Sequence, residues 1–154
     1  MPNLLVVNLH GLINVPARTV TALEELGVTR KFSATVVPSD ESTSGVLRRC
    51  KDYVAWAEID TELLTLLLTR CGKVSQRRRL DEASLKSIGF KDYGELASRI
   101  MENDGRLSSI SGILPFFRLK SPAGGFKRST RRQFGEGGVL GANPDLVGIV
   151  RRMV

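Results

Sequence analysis

Residues Gly45–Asp60 read Gly-Val-Leu-Arg-Arg-Cys-Lys-Asp-Tyr-Val-Ala-Trp-Ala-Glu-Ile-Asp. Val46, Leu47, Cys50 and Tyr53 fall at helical spacing, and Arg48, Arg49 and Lys51 fall largely on other faces. The spacing predicts a helix over 45–53, opened by Ser44 after the polar loop that starts at Pro38. Val54–Ile59 is a short apolar run rich in β-formers and reads as a strand. A helix passing directly into a strand completes a pattern begun upstream.

Upstream, Leu4–Leu9 is an apolar run closed off by Gly11 and Pro16, a buried strand. Pro16 suits a first helical turn and Gly27 a C-terminal cap. Between them Val20, Ala22, Leu23 and Leu26 share one side. Phe32–Val37 reads as the second strand. Residues 1–59 are therefore β-α-β-α-β. That order fits a small sheet with both helices on one face, an α+β sandwich.

Downstream, Asp60 caps a helix over Thr61–Arg70 whose leucines occupy more than one side, so it is covered on more than one side. Asp81–Ile88 is a short helix ended by Gly89. Asp92 and Glu95 resemble a capping box. Tyr93, Leu96, Ala97, Ile100 and Met101 then form the clearest amphipathic stripe in the chain. Ile110–Phe117 is apolar and anchors the basic segment after it to the body. Gln133–Gly141 reads as a glycine-rich turn, and Asn143 with Pro144 opens a last helix, with Arg151 and Arg152 outward.

Charge is distributed unevenly. The 154 residues hold 23 bases and 16 acids, a net charge of +7. Six of those seven charges sit in Arg118–Arg132, which has no acid. Residues 1–58 and 133–154 are each neutral. This arm has neither helical nor strand periodicity, and Pro122, Gly124 and Gly125 mark a turn in it. A second cluster, Arg77-Arg78-Arg79, is partly neutralised by Asp81 and Glu82 and reads as a solvated loop. A near-neutral body with one basic arm needs a polyanion, nucleic acid or an anionic surface.

Motifs for chemistry are largely missing. Gly72-Lys73 lacks the Ser or Thr and the earlier glycine of a P-loop. Gly135, Gly137, Gly138 and Gly141 miss the dinucleotide spacing. His10 is the only histidine, and Cys50 and Cys71 stand alone, so neither a triad nor a zinc site is expected. Both cysteines read as buried reduced thiols. No apolar run reaches the roughly 18 residues that span a membrane, and the start lacks the basic segment of a signal peptide. We expect no catalytic residues, no metal and no cofactor. In the arm, Gly124 and Gly125 let the backbone approach phosphates, arginines pair with them in bidentate fashion, and Phe126 either stacks on a base or pins the arm to the body.

Three segments resemble the archaeal form of ribosomal protein L-thirty of the large subunit, a relative of the eukaryotic large-subunit protein L-seven. They are Leu5–Leu26, with Thr21-Ala-Leu-Glu-Glu-Leu26; Pro38–Asp60; and the arm, with Pro122-Ala-Gly-Gly-Phe-Lys127, Phe134-Gly-Glu-Gly-Gly-Val-Leu-Gly141 and the terminal Arg-Arg-Met. The chain departs from that family's usual pattern in three places. Val46 stands for a Met, Lys120-Ser-Pro-Ala123 for His-Pro-Pro-Arg, and Ala142-Asn-Pro144 for Tyr-Arg-Gly. Ala123 cannot make the phosphate or base contact of an Arg.

The resemblance implies an α+β fold with a ferredoxin-like β-α-β-α-β core (1–59) on a small antiparallel sheet. A helical insertion (60–117) and a basic arm with glycine-rich turn and final helix (118–154) complete it. It implies a non-catalytic constituent of the large subunit, cytoplasmic and one copy per ribosome. Its partners would be large-subunit rRNA, near the 5S rRNA, and neighbouring ribosomal proteins. Arg118, Lys120, Lys127, Arg128, Arg131 and Arg132 would contact phosphates, with Gly124 and Gly125 allowing close approach. Arg18, Arg30, Lys31, Arg48 and Arg49 would extend the footprint over the core. Deleting 118–132 is then expected to leave the fold intact. The competing reading is a small ferredoxin-like enzyme or sensor that holds a phosphorylated ligand at Gly135–Gly141.

Overall fold

A computed structural model describes residues 3–102 and 106–154. Residues 1–2, where the signal-peptide reading starts, and 103–105, inside the 60–117 segment, lie outside the described residues. The architecture is the expected α+β, ferredoxin-like arrangement around one six-stranded sheet.

Strand β1 (Asn3–Asn8) is central. It pairs antiparallel with β2 (Ser33–Pro38) on one side and β3 (Val54–Glu58) on the other. Leu5 faces Val36 and Ala57 in register, and Val7 faces Ala34 and Ala55. Side chains alternate across a strand, so β1 feeds two cores. Leu4 and Val6 pack with Ala22, Leu23 and Leu26 of α1 (Ala17–Leu26) and Leu47 of α2 (Glu41–Arg49). Leu5 and Val7 pack on the opposite face, against the helical insertion. Every residue of β1 is buried because both faces are covered.

Local signals explain most boundaries. Gly27 ends α1 in the left-handed region (φ 79°), and the Val28 amide donates to Leu23 O. Pro16 stands just outside α1 as its flanking residue, and Thr19 rather than Val20 is on the buried face. Helix α2 starts earlier than its apolar spacing predicts. Asp40, not Ser44, caps it, accepting from the Thr43 amide at 2.6 Å, while Ser44 Oγ donates back to Asp40 O inside the first turn. It also ends at Arg49, and a turn over 51–53 leads into β3. Cys50 is buried, and burial pushes its thiol up to about 11. Cys71 is only half-buried, against expectation.

The insertion supplies α3 (Thr61–Cys71), α4 (Glu82–Ile88) and α5 (Tyr93–Glu102). Leu63, Leu64, Leu67 and Leu68 of α3 are fully buried between the sheet and Leu96, Ala97 and Ile100 of α5. Asp60 and Asp81 cap α3 and α4 through amides of Leu63 and Ser84, both at 2.7 Å. Glu95 reaches back to the Lys91 amide at 2.9 Å while Asp92 accepts from Glu95 N, a capping box shifted by one residue.

The C-terminal segment departs furthest from its sequence reading. Strand β4 (Phe117–Arg118) pairs antiparallel with β2 at one edge of the sheet. Strands β5 (Ser129–Gln133) and β6 (Gly138–Ala142) extend the other edge, parallel to each other, with β6 parallel to β3. The order is β4-β2-β1-β3-β6-β5, so the small antiparallel sheet grows into a mixed one. The supposed turn Gly135–Gly141 is a short 3₁₀ turn, Phe134–Glu136, followed by buried β6. Parallel neighbours normally need a crossover of a dozen or more residues, but residues 134–137 suffice here. Gly138 makes this possible, because a Cβ there would collide with the Arg132 carbonyl. The last helix, α6 (Leu146–Met153), starts after Pro144, with Asn143 Oδ1 accepting from the Asp145 amide. The segment therefore contributes core residues, Phe117, Leu119, Val139 and Leu140 among them. Deleting 118–132 would remove part of the sheet, so the expectation that the fold survives that deletion is corrected.

Candidate nucleic-acid interface

Strand β1 finishes at Asn8, and this end of the sheet organises the basic residues. The buried Asn8 side chain donates to Val28 O at 2.7 Å and accepts the amides of His10 and Gly11, both at 2.9 Å. The Phe32 amide donates to Asn8 O at 2.6 Å, and Leu9 N donates to Tyr53 O at 3.1 Å. These bonds gather the α1–β2 turn and the α2–β3 turn around one point. Arg30 and Lys31 lie in the first of these turns, and Arg48 and Arg49 enter the second. Arg118 is paired with Ser33, the first residue of β2, so the arm departs from the same end. It returns there too, since Gln133 Nε2 donates to Lys51 O at 2.9 Å and to Asp52 Oδ1 at 3.2 Å.

The arm between these anchors is held in place. The Leu119 amide donates to Phe32 O and the Lys120 amide to Met153 O, both at 2.9 Å. The Phe126 ring lies 6.1 Å from that of Phe32, so of its two readings the aromatic pins the arm to the body. Phe32 has a positive φ of 64°, a conformation costly for a bulky side chain, at the point where the arm is attached. Gly124 and Gly125 have φ of 81° and 73° and form the turn, closed by Gly125 N donating to Pro122 O at 2.9 Å. Arg152 completes the attachment. Its Nη1 donates to both Ala123 O and Gly125 O at 3.0 Å, so it folds onto the arm instead of pointing outward. No pattern in the sequence links Arg152 to residues 27–29 positions away.

The six arm bases are all exposed, and among the described residues none is in an ion pair. Arg128 lies 5.1 Å from the Phe134 ring centroid, which fixes its guanidinium without neutralising it. Lys31 similarly stands 5.2 Å from the Phe32 ring. Arg49 pairs with Glu25 at 3.1 Å on the surface. Such exposed pairs are worth about 1 kcal/mol or less and yield to a phosphate. Arg18 is separate. It sits in the first turn of α1, roughly 15 Å by helix rise from the end that meets Asn8. The geometry thus brings Arg30, Lys31, Arg48 and Arg49 to the arm's end of the sheet and leaves Arg18 apart. Lys51, whose sequence position fits a solvated face or RNA contact equally, lies in the α2–β3 turn, where its backbone carbonyl accepts from Gln133 Nε2.

The glycines of the competing ligand site are divided between an exposed 3₁₀ turn and a strand. Gly138–Ala142 is a strand paired on both sides, and its residues 138–141 are buried. Among the described residues no group of three or more His, Cys, Asp or Glu is placed to hold a metal, and no helix is long and apolar enough to cross a membrane.

No family model matches the chain. Direct comparison is decisive. The chain is 35% identical over 150 residues to large ribosomal subunit protein uL30 of Nitrosopumilus maritimus and 39% identical over 150 residues to that of Cenarchaeum symbiosum, with 97% of each chain covered in both cases. The chain belongs to the uL30 family. The uL30 of Korarchaeum cryptofilum is 36% identical over 156 residues, spanning all of this chain and 96% of its own. The similarity therefore runs along nearly the whole chain and nearly the whole length of each of these relatives. It agrees with the resemblance carried by the first two segments and the arm.

Proposed function

We propose that this chain is a structural, non-catalytic constituent of the large ribosomal subunit, present once per ribosome, that binds rRNA near the 5S rRNA. Its family membership supports the subunit assignment. One observation carries the RNA reading: the arm's exposed bases, none of them in an ion pair among the described residues, and exposed bases from two turns of the core converge on one end of the sheet. Phosphate contacts position a protein on RNA, and a preordered arm makes several at once with little ordering cost. Arg118, Lys120, Lys127, Arg128, Arg131 and Arg132 form the main contact surface. Arg30, Lys31, Arg48 and Arg49 border it, and Gly124 and Gly125 expose the backbone of the turn. Arg18 contacts RNA only where it reaches the margin. Faces away from this end meet neighbouring ribosomal proteins.

Sedimentation of native extracts tests the assignment. The protein is expected to travel with large subunits at low salt and to dissociate at high salt. Replacing the six arm bases with Gln, which leaves the sheet intact, is expected to abolish incorporation. Normal incorporation of that variant contradicts the proposal.

A further inference from the structure

A cleft of about 340 Å³ opens between the α1–β2 turn, β4 and the loop after α3. Arg30, Lys73 and Arg118 bring positive charge to it, Gln76 an amide, and Leu114 and Phe116 an apolar wall. No carboxylate lines it among the described residues. Three separate segments build it, and backbone bonds fix them. Leu114 N donates to Lys73 O at 2.8 Å, Lys73 bridges Arg79, and Arg118 is paired with Ser33. The half-buried Cys71 thiol is pushed up by burial, and it feels Arg79, Lys120, Arg70 and Lys73 as opposing cations. The insertion loop and the arm thus contribute to one positive field.

The composition of this cleft selects among anions. Binding a bare phosphate would need the cations but not Phe116, Leu114 or Gln76. A duplex backbone lies across a surface and does not enter a concavity at the small end of the roughly 300–1,000 Å³ that ligand pockets span. One nucleotide satisfies all six side chains. Its phosphate meets the cations, its base lies on the aromatic, and the Gln76 amide, donor and acceptor both, meets the base edge. Proteins read RNA in this way at bulges and loops, through unstacked bases. We propose that the cleft receives a single unpaired nucleotide of rRNA, turned out of its helix. The loop with Arg77, Arg78 and Arg79, which reads from sequence as merely solvated, then flanks the same site and meets the adjoining phosphates.

This inference rests on the rRNA reading above, and the test separates the two. The full chain is titrated by fluorescence anisotropy with RNA hairpins that carry one bulged nucleotide, made with each of the four bases, and with a fully paired hairpin carrying the same number of phosphates. At least one bulged hairpin is expected to bind about fivefold or more tighter than the paired one, in line with the usual effect of base–aromatic stacking. Phe116→Ala and Gln76→Ala are expected to erase that preference and leave the affinity for the paired hairpin within about twofold. Gln76 is exposed, so its variant folds normally. Equal binding of bulged and paired hairpins by the unmodified protein, or a preference that survives both substitutions, overturns the cleft while leaving the rRNA reading standing. Salt-insensitive or absent binding to every hairpin overturns both.

Discussion

Strands β1, β2 and β3 and strands β4, β5 and β6 share one sheet, yet they are built from opposite materials. The first three are runs such as Leu-Leu-Val-Val and Ala-Thr-Val-Val, buried almost throughout. The last three include Ser-Thr-Arg-Arg-Gln and Gly-Val-Leu-Gly-Ala, the former mostly exposed. Apolar surface drives the first set together. The second set is placed by backbone pairing, by one close approach at Gly138, and by a few buried anchors. The arm is therefore both part of the fold and the carrier of its charge, with different residues serving the two roles.

The comparison breaks most readily at Phe117, which is fully buried at the base of the arm. Phe117→Ala is expected to cost about 3–5 kcal/mol in urea unfolding, and Leu64→Ala in α3 about 2–5. An effect at Phe117 below about 1 kcal/mol would show that the arm is an appendage. Gly138→Ala is expected to cost about 1–3 kcal/mol, since the Arg132 carbonyl must move. By contrast, changing any one exposed arm base to Gln is expected to alter stability by about 0.5 kcal/mol or less.

How far each region was legible depends on the same contrast. Helix and strand signals are local in the body. Asp60 and Asp81 mark helix starts, Gly27 and Gly89 mark ends, and alternation or stripes mark faces. The miss at α2 arose because Asp40 and Ser44 are both capping residues, and the one whose oxygen reaches the Thr43 amide decides. Strands β5 and β6 were hidden because glycine and arginine give no strand pattern; β6 is placed by register with β3, far away in sequence, and β5 then pairs on β6. In the candidate interface, the arm's charge was plain from composition. Its convergence with Arg30, Lys31, Arg48 and Arg49 depends on Asn8, a buried polar residue with no motif around it. The cleft residues Lys73, Gln76 and Phe116 come from segments that meet only in the fold.

A smaller effect sharpens the picture of a preordered arm. Arg152→Ala removes two hydrogen bonds to the glycine turn. Hydrogen exchange at the amides of Ala123 and Gly125 is expected to speed up, with a stability loss of about 1 kcal/mol and no change in β1. Unchanged exchange would mean that the turn holds itself.

The smallest effect is in the body. Thr43 hydrogen bonds, side chain first and then amide, hold the Asp40 carboxyl below its ordinary value of 3.8; Ser84, amide first, does the same for Asp81. A lowered folded pKa means that the stabilisation is complete above about pH 4 and fades as pH falls through the folded values. The urea midpoint is expected to fall slightly over that acid range, and to fall less in Asp40→Asn. Equal acid sensitivity in both proteins would assign the loss to other carboxyls.

The most direct test of the central claim is the salt dependence of rRNA binding. The full chain and its six-Gln arm variant are compared on the same large-subunit rRNA fragment between 50 and 200 mM salt. With about six phosphates engaged, affinity is expected to drop by about 10³ across that range in the native chain. In the variant the dependence should be markedly shallower, carried only by the bases that border the arm, and the low-salt affinity correspondingly poor. Parallel salt slopes for the two proteins would contradict the account, because they would place the phosphate contacts somewhere other than the arm.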